Sequence, residues 1–307
     1  MCNVHFTSER RGGSAAGPDG PAEGSDDIRA NDLGDIHAGV APVGEMTSPF
    51  SLDGRSAAVV GAGSGIGEAV AIGCAEAGAW VCCLDVNGEA ARRTAATIRE
   101  AGGEAGATAL DILDGAAVTA AFEAITAERG SLDVAVSTPG VNVRKPLLDY
   151  TDDEIDRVLG LNLKGSAHVI QSAGRIMREQ GSGSIVLFSS IRSVVVEPGQ
   201  SIYAATKAGI VQMVRAAAAE LGPHGVRVNA VAPGVIDTPL TAPIKDSPDW
   251  YAAYAARSIL GRWGTAREMA GPTVFLASDA ASFVTGTVLF ADGGWTAIDG
   301  RFAPPGM

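Results

Sequence analysis

Tyr203 and Lys207 stand four residues apart in Tyr203-Ala204-Ala205-Thr206-Lys207. On a helix that spacing sets both side chains on one face. A phenol has a reference pKa of about 10, too high for proton exchange near neutral pH. A neighbouring ammonium stabilises the phenolate, and a shift of about 3 units corresponds to roughly 4 kcal/mol of differential interaction. Ser190 lies thirteen residues before the tyrosine, at the end of the strand-like run into Phe188-Ser189-Ser190. A hydroxyl at the carboxyl end of a parallel strand faces the crevice where ligands bind in such sheets. The pair thus reads as a proton-exchanging phenol with its ammonium, and Ser190 as a hydroxyl facing the ligand crevice.

A second constellation is Val60-Gly61-Ala62-Gly63-Ser64-Gly65-Ile66-Gly67, between an apolar segment and a helical one. Glycines there permit a tight turn and let the backbone approach a pyrophosphate seated on the positive helix end. Gly61, Ser64, Gly65, Ile66 and Gly67 are the candidate contacts. Asp85 closes the next apolar run, about 20 residues on, where a carboxylate accepts hydrogen bonds from ribose hydroxyls. It also repels a 2′-phosphate, and no basic residue lies in the loop, so NAD is expected in preference to NADP. Asp111 and Ile112 follow where the adenine ring should lie.

These side chains need a scaffold of alternating strands and helices. Strands are predicted at 56–60, 80–86, 108–112, 132–137, 184–189, 226–231 and 287–291, with helices at 65–77 and 88–101. Continuous apolar strands between helices indicate a parallel sheet covered on both faces. The fold class is α/β, a single Rossmann-type doubly wound sheet of about seven strands in the order 3-2-1-4-5-6-7. Thr151-Asp-Asp-Glu154 and Thr265-Ala-Arg-Glu268 read as capping boxes that start helices.

A net charge of −12 disfavours nucleic acid or an anionic membrane as partner. No apolar run approaches the roughly 20 residues of a membrane span, and the first residues carry no secretory pattern. Cys2, Cys74, Cys82 and Cys83 form no C-x-x-C pair and read as free thiols of a reducing cytoplasm. Residues 1–50 hold eight acidic residues against three arginines and show no periodicity, so disorder is expected, with Met46 as an alternative start. Residues 51–307 form the predicted catalytic domain.

In its glycine loop, Asp85, Asn162, Ser190, Tyr203, Lys207 and the Pro233-Gly234 turn, the chain resembles the short-chain dehydrogenase/reductase family, in its single-domain branch. The resemblance covers about residues 51–300. It implies an NAD(P)-dependent oxidoreductase acting on a secondary alcohol/ketone pair, with Tyr203 as acid/base and Ser190 holding the substrate oxygen. Lys207 would bind the nicotinamide ribose and lower the tyrosine pKa, and Asn162 would hold a proton-relaying water. Thr138, Gly140, Tyr203, Lys207, Ile236 and Thr238 fall at positions that contact the cofactor. Two departures stand out. The family's usual Thr before the first glycine is Val60, which removes a bracing hydroxyl. The usual Asn-Asn-Ala-Gly is Ser137-Thr138-Pro139-Gly140, where proline removes a backbone donor.

The Arg144-Lys145-Pro146 stretch and the Gly293-Gly294-Trp295 ending look similar to sugar-acid and polyol dehydrogenases of the family, while 3-oxoacyl reductases share most of the pattern. Arg144 and Arg192 are candidate ligands for an anionic substrate group, though loop arginines are usually surface residues. The segment 239–264 is the expected lid; its Trp250, Tyr251, Tyr254 and Trp263 either stack on substrate or pack the lid onto the core. His168 and His224 lack ligand spacing, so no metal is expected. A catalytically silent NAD-binding regulator is the rival class, and the intact Asn162, Ser190, Tyr203, Lys207 set argues against it. Similar proteins use their long helices in subunit contacts, which implies a homotetramer or homodimer with a small-molecule substrate as the other partner.

Overall fold

The computed structural model describes residues 48–299. The predicted disordered extension up to residue 47, the alternative start at Met46 and the last eight residues lie outside them. Pro49 already belongs to the folded domain, because its carbonyl accepts from the Ala280 amide at 2.8 Å.

Seven parallel strands form the central sheet: β1 (Ser56–Val60), β2 (Trp80–Asp85), β3 (Ala105–Ala109), β4 (Val134–Ser137), β5 (Gly183–Phe188), β6 (Val226–Pro233) and β7 (Val288–Ala291). Their spatial order is β3-β2-β1-β4-β5-β6-β7, as the sequence predicts. The strand order reverses between β1 and β4, which leaves a crevice beyond their carboxyl ends. A two-residue parallel pair, Ile236–Asp237 with Gly264–Thr265, stands apart from this sheet.

Alternation along each strand builds two cores. Ala57, Val59, Val81 and Cys83 face one side, where they meet Val70 and Cys74 of α1 (Gly65–Glu76) and Ala95 and Ile98 of α2 (Gly88–Glu100). Ala58, Val60, Cys82 and Leu84 face the other. There they meet α3 (Gly115–Arg129), and beyond α4 (Asp152–Leu159) the long helices α5 (Ser166–Gln180) and α6 (Ser201–Leu221). After β6 come α7 (Ala242–Lys245), α8 (Pro248–Arg257) and α9 (Ala270–Ala277), the last packed beside α1.

The third strand corrects the sequence reading. It runs over Ala105–Ala109 rather than 108–112, because pairing with Val81–Asp85 sets its register. Its small residues carry little strand propensity of their own, and the sheet overrides that. Leu110, Asp111 and Ile112 consequently leave the sheet and line the crevice.

Both capping boxes form. Thr151 starts α4, and Thr265 starts a 3₁₀ turn (Ala266–Met269) that runs into α9. Thr151→Ala removes the hydroxyl that accepts from the Glu154 amide, and thermal or urea unfolding should register a loss of about 1 kcal/mol.

Candidate active site

A cleft of about 470 Å³ opens beyond β1, β2 and β4. It is lined by Gly61, Ser64, Gly65, Ile66 and Gly67, by Asp85, Asp111 and Ile112, and by Thr138, Gly140 and Thr238. Ile236, Tyr203 and Lys207 are absent from this lining: Ile236 is buried in the short strand pair, against Gly264, and the other two belong to α6. Sequence reasoning overlooked Val86 and Leu113, two exposed apolar side chains on the cleft wall. Their signal is position, since a large apolar residue just past a strand end has no core to enter.

The glycine loop is closed so tightly that a Cβ on Gly67 would lie 2.0 Å from the Gly61 carbonyl oxygen. Gly61 itself has φ of +83°, a conformation that glycine adopts without strain. The bracing hydroxyl that Val60 cannot supply comes from the neighbouring strand. Thr138 Oγ1 donates to the Val60 carbonyl at 2.9 Å, alongside the Thr138 amide at 3.1 Å. Asp85 ties the loop to α2, accepting from Gly63 N at 2.9 Å and from Asn87 N at 2.8 Å.

The start of α1, like those of α6 and α8, lacks a side-chain cap. Asn87, Asp114 and Thr151 each cap their helices with a side chain, whereas Ser64 makes no such bond to α1. Leading amides of α1 are thus left for an anion. Uncapped amides, a loop too close for Cβ atoms and a carboxylate at the end of β2 all fit a dinucleotide.

Next to this cleft, α6 presents Tyr203 and Lys207 on one face, with the Lys207 ammonium 5.6 Å from the tyrosine ring centroid. Lys207 Nζ donates to the Phe188 carbonyl at 2.8 Å, and Gly140 leaves it room. Burial pulls the Lys207 pKa down to about 8. Burial pushes the Tyr203 phenol up, while the nearby Ser190 hydroxyl and the charges of Arg192 and Arg144 act the other way. The charges that favour the phenolate therefore include two arginines that sequence reasoning linked only to substrate.

Ser190 is held by the turn that follows β5, where its hydroxyl accepts from the Arg192 amide at 3.1 Å. Asn162 sits in a π-helical segment, Gly160–Gly165, that joins α4 to α5. Such bulges turn a side chain out of register, often at functional sites. The fully buried Asn162 amide accepts from Val141 N at 2.8 Å and donates to the Val141 carbonyl at 2.9 Å, and it meets Thr206 at 3.1 Å. It thereby locks the loop after β4 onto α6.

A second pocket, of about 290 Å³, meets Ser190 and Tyr203 from the other side. Arg144, Arg192, Asn142, Gln200, Trp250 and Tyr254 supply its polar and aromatic walls. Asn142 Nδ2 donates to Gln200 Oε1 at 2.8 Å, which leaves Asn142 Oδ1 and Gln200 Nε2 buried without partners. The lid aromatics divide between the two expected roles: Tyr251 stacks on buried Trp263 at 4.7 Å, while Trp250 and Tyr254 reach the pocket. His168 lies elsewhere, its Nδ1 on the Ile112 carbonyl at 2.8 Å.

A family model described as enoyl-(acyl carrier protein) reductase matches residues 61–296. The chain is 44% identical over 245 residues to cis-4-hydroxycyclohexanecarboxylate dehydrogenase of Sinomonas cyclohexanicum, covering 80% of this chain and 97% of that one. The chain belongs to the short-chain dehydrogenase/reductase family. D-threitol dehydrogenase of Mycolicibacterium smegmatis is 38% identical, with 80% of this chain and 95% of that one covered. Among solved structures, a gluconate 5-dehydrogenase from Burkholderia cenocepacia J2315 in complex with NADP and tartrate superposes with a TM-score of 0.79. It is 35% identical and covers 81% of this chain and 98% of its own. This short-chain dehydrogenase/reductase is an NAD(P)-dependent enzyme of the alcohol/ketone class.

Proposed function

We propose that Tyr203 is the acid/base of this enzyme and that its substrate is a small secondary alcohol, or the matching ketone, bearing a carboxylate. The placement of Ser190 and Tyr203 together in a pocket walled by Arg144 and Arg192, next to the dinucleotide cleft, carries this reading. Ser190 orients the substrate oxygen, and Tyr203 Oη takes its proton in oxidation and returns it in reduction. Lys207, anchored on the Phe188 carbonyl, supports the phenolate. Asn162 positions the loop that carries Gly140 beside Lys207.

NAD(H) is the favoured cofactor; Gly61, Ser64, Gly65, Ile66, Gly67 and Asp85 would hold it, together with Asp111, Ile112, Thr138, Gly140 and Thr238. When bound, it accepts or supplies the hydride at the carbinol carbon. The solved relative holds NADP, but here the Asp85 carboxylate lines the cleft, where it would repel a 2′-phosphate. Asp85→Asn keeps an acceptor for Gly63 and removes the charge. Steady-state assays with both cofactors should show the NADP-to-NAD ratio of kcat/KM rising about tenfold, the equivalent of ~1.4 kcal/mol.

A carboxylate suits the arginines, and the unpaired amide atoms of Asn142 and Gln200 suit a further hydroxyl, which favours a hydroxylated acid over an unadorned acyl chain. Exposed Leu147, Leu148, Val194 and Val196 support self-association as a homodimer or homotetramer. The unpaired Cys74, Cys82 and Cys83 suit a reducing cytoplasm. No helix among the described residues is long and apolar enough to cross a membrane. The deciding test follows NADH absorbance over matched panels of neutral polyols and hydroxy acids. Preferential turnover of the acids supports the substrate reading, and turnover confined to neutral alcohols overturns it.

A further inference from the structure

Around the substrate pocket, two cations share one anion. Glu197 Oε1 lies 3.1 Å from Arg144 Nη1, and Glu197 Oε2 pairs with Arg192 Nη2. The Tyr254 hydroxyl donates to the same carboxylate at 2.6 Å and stands 3.4 Å from Arg144 Nη1. Trp250 and Trp295 complete the bracket, with the Arg144 guanidinium 5.2 Å from one ring centroid and the Arg192 guanidinium 5.5 Å from the other. Both arginines line the pocket, while Glu197 stands behind them in the groove on its outer side.

This arrangement fixes a charge. Arg144 and Arg192 contribute two positive charges to the pocket wall, and Glu197 cancels one. The nearby Lys145 adds none, because it is paired with Glu154 at 2.6 Å. One unbalanced positive charge therefore faces the substrate. A monocarboxylate neutralises it. A dicarboxylate brings a second negative charge into a partly desolvated pocket that no further cation lines among the described residues, which is costly. Arg144 is the member free to reach substrate, being about one-third exposed, whereas the Arg192 side chain is buried between Glu197 and Trp295.

We infer that Glu197 is a specificity-determining residue, which by bracketing Arg144, Arg192 and Tyr254 restricts this pocket to substrates with a single carboxylate. The inference deepens the proposed substrate reading and rests on it. Glu197 touches neither the reacting atoms nor the cofactor cleft, so it acts through the two arginines as a positioning residue.

The test measures kcat/KM for paired hydroxy acids of similar size, one with a single carboxylate and one with two. Wild type is expected to prefer the monoacid. In Glu197→Gln, the dicarboxylate-to-monocarboxylate ratio should rise at least tenfold, and Glu197→Asp should return it toward wild type. A merely structural role would lower both substrates together and leave the ratio unmoved, which overturns the inference. Should Glu197→Gln fail to fold, inhibition of the wild-type enzyme decides. Cyclohexanecarboxylate should then compete at lower concentration than cyclohexane-1,4-dicarboxylate, and the reverse order overturns the inference. Wild-type turnover of neutral alcohols alone is a separate outcome: it defeats the carboxylate reading itself, and this inference with it.

Discussion

Tyr203→Phe should lower kcat by between ~10² and ~10⁴, the range for loss of a positioned acid/base. The phenylalanine keeps the ring and its place on α6, and it removes only the phenol oxygen. NADH binding, followed by its fluorescence, should change little, because Tyr203 does not line the dinucleotide cleft. A variant that retains wild-type kcat would assign the proton transfer to another group. Arg144 and Arg192 act on the same phenol from the pocket side. A carboxylate substrate that neutralises them would thus also reduce their support for the phenolate.

Lys207→Met carries the second large effect, and it appears in stability as well as turnover. Burial holds the Lys207 pKa near about 8, below its ordinary 10.5. Below pH 8 the folded protein bears the full cost of keeping a buried ammonium that the unfolded chain solvates freely. Between pH 8 and pH 10.5 the folded state loses that proton while the unfolded state keeps it, so stability from this group rises with pH. A shift of that size corresponds to about 3 kcal/mol. Lys207→Met should therefore be stabilised relative to wild type at pH 7, less the effect of losing the bond to Phe188 O. The difference between the two proteins should shrink by about 3 kcal/mol as denaturant melts move from pH 8 to pH 10.5. Groups that titrate in both proteins cancel in that difference. A constant difference across the range would place the lysine in a more solvated environment than its surroundings imply. Turnover should fall with Lys207→Met at every pH, separating the lysine's chemical task from its cost in stability.

Much of this protein is legible in its sequence, because the decisive signals are local. The glycine loop follows a strand and opens a helix within a few residues, so backbone chemistry alone points to an anion on the helix end. Tyr203 and Lys207 share a face by helical periodicity, and the apolar strands between helices require a parallel sheet. The lone carboxylate of Asp85 at a strand end is likewise visible before any folding is considered.

Other features depend on residues brought together from distant parts of the chain. The brace for the glycine loop crosses from Thr138 to Val60, a separation of 78 residues. Arg144 meets Tyr254 across 110 residues, and Glu197 becomes the hub of the pocket only because the turn after β5 folds against α8. The π segment at Asn162 and the shifted start of β3 arise because packing outweighs local preference. Local sequence specifies backbone geometry and helix faces through short-range sterics and hydrogen bonds. Which charges cancel in a pocket is a long-range question, answered only when burial removes the water that would have screened them.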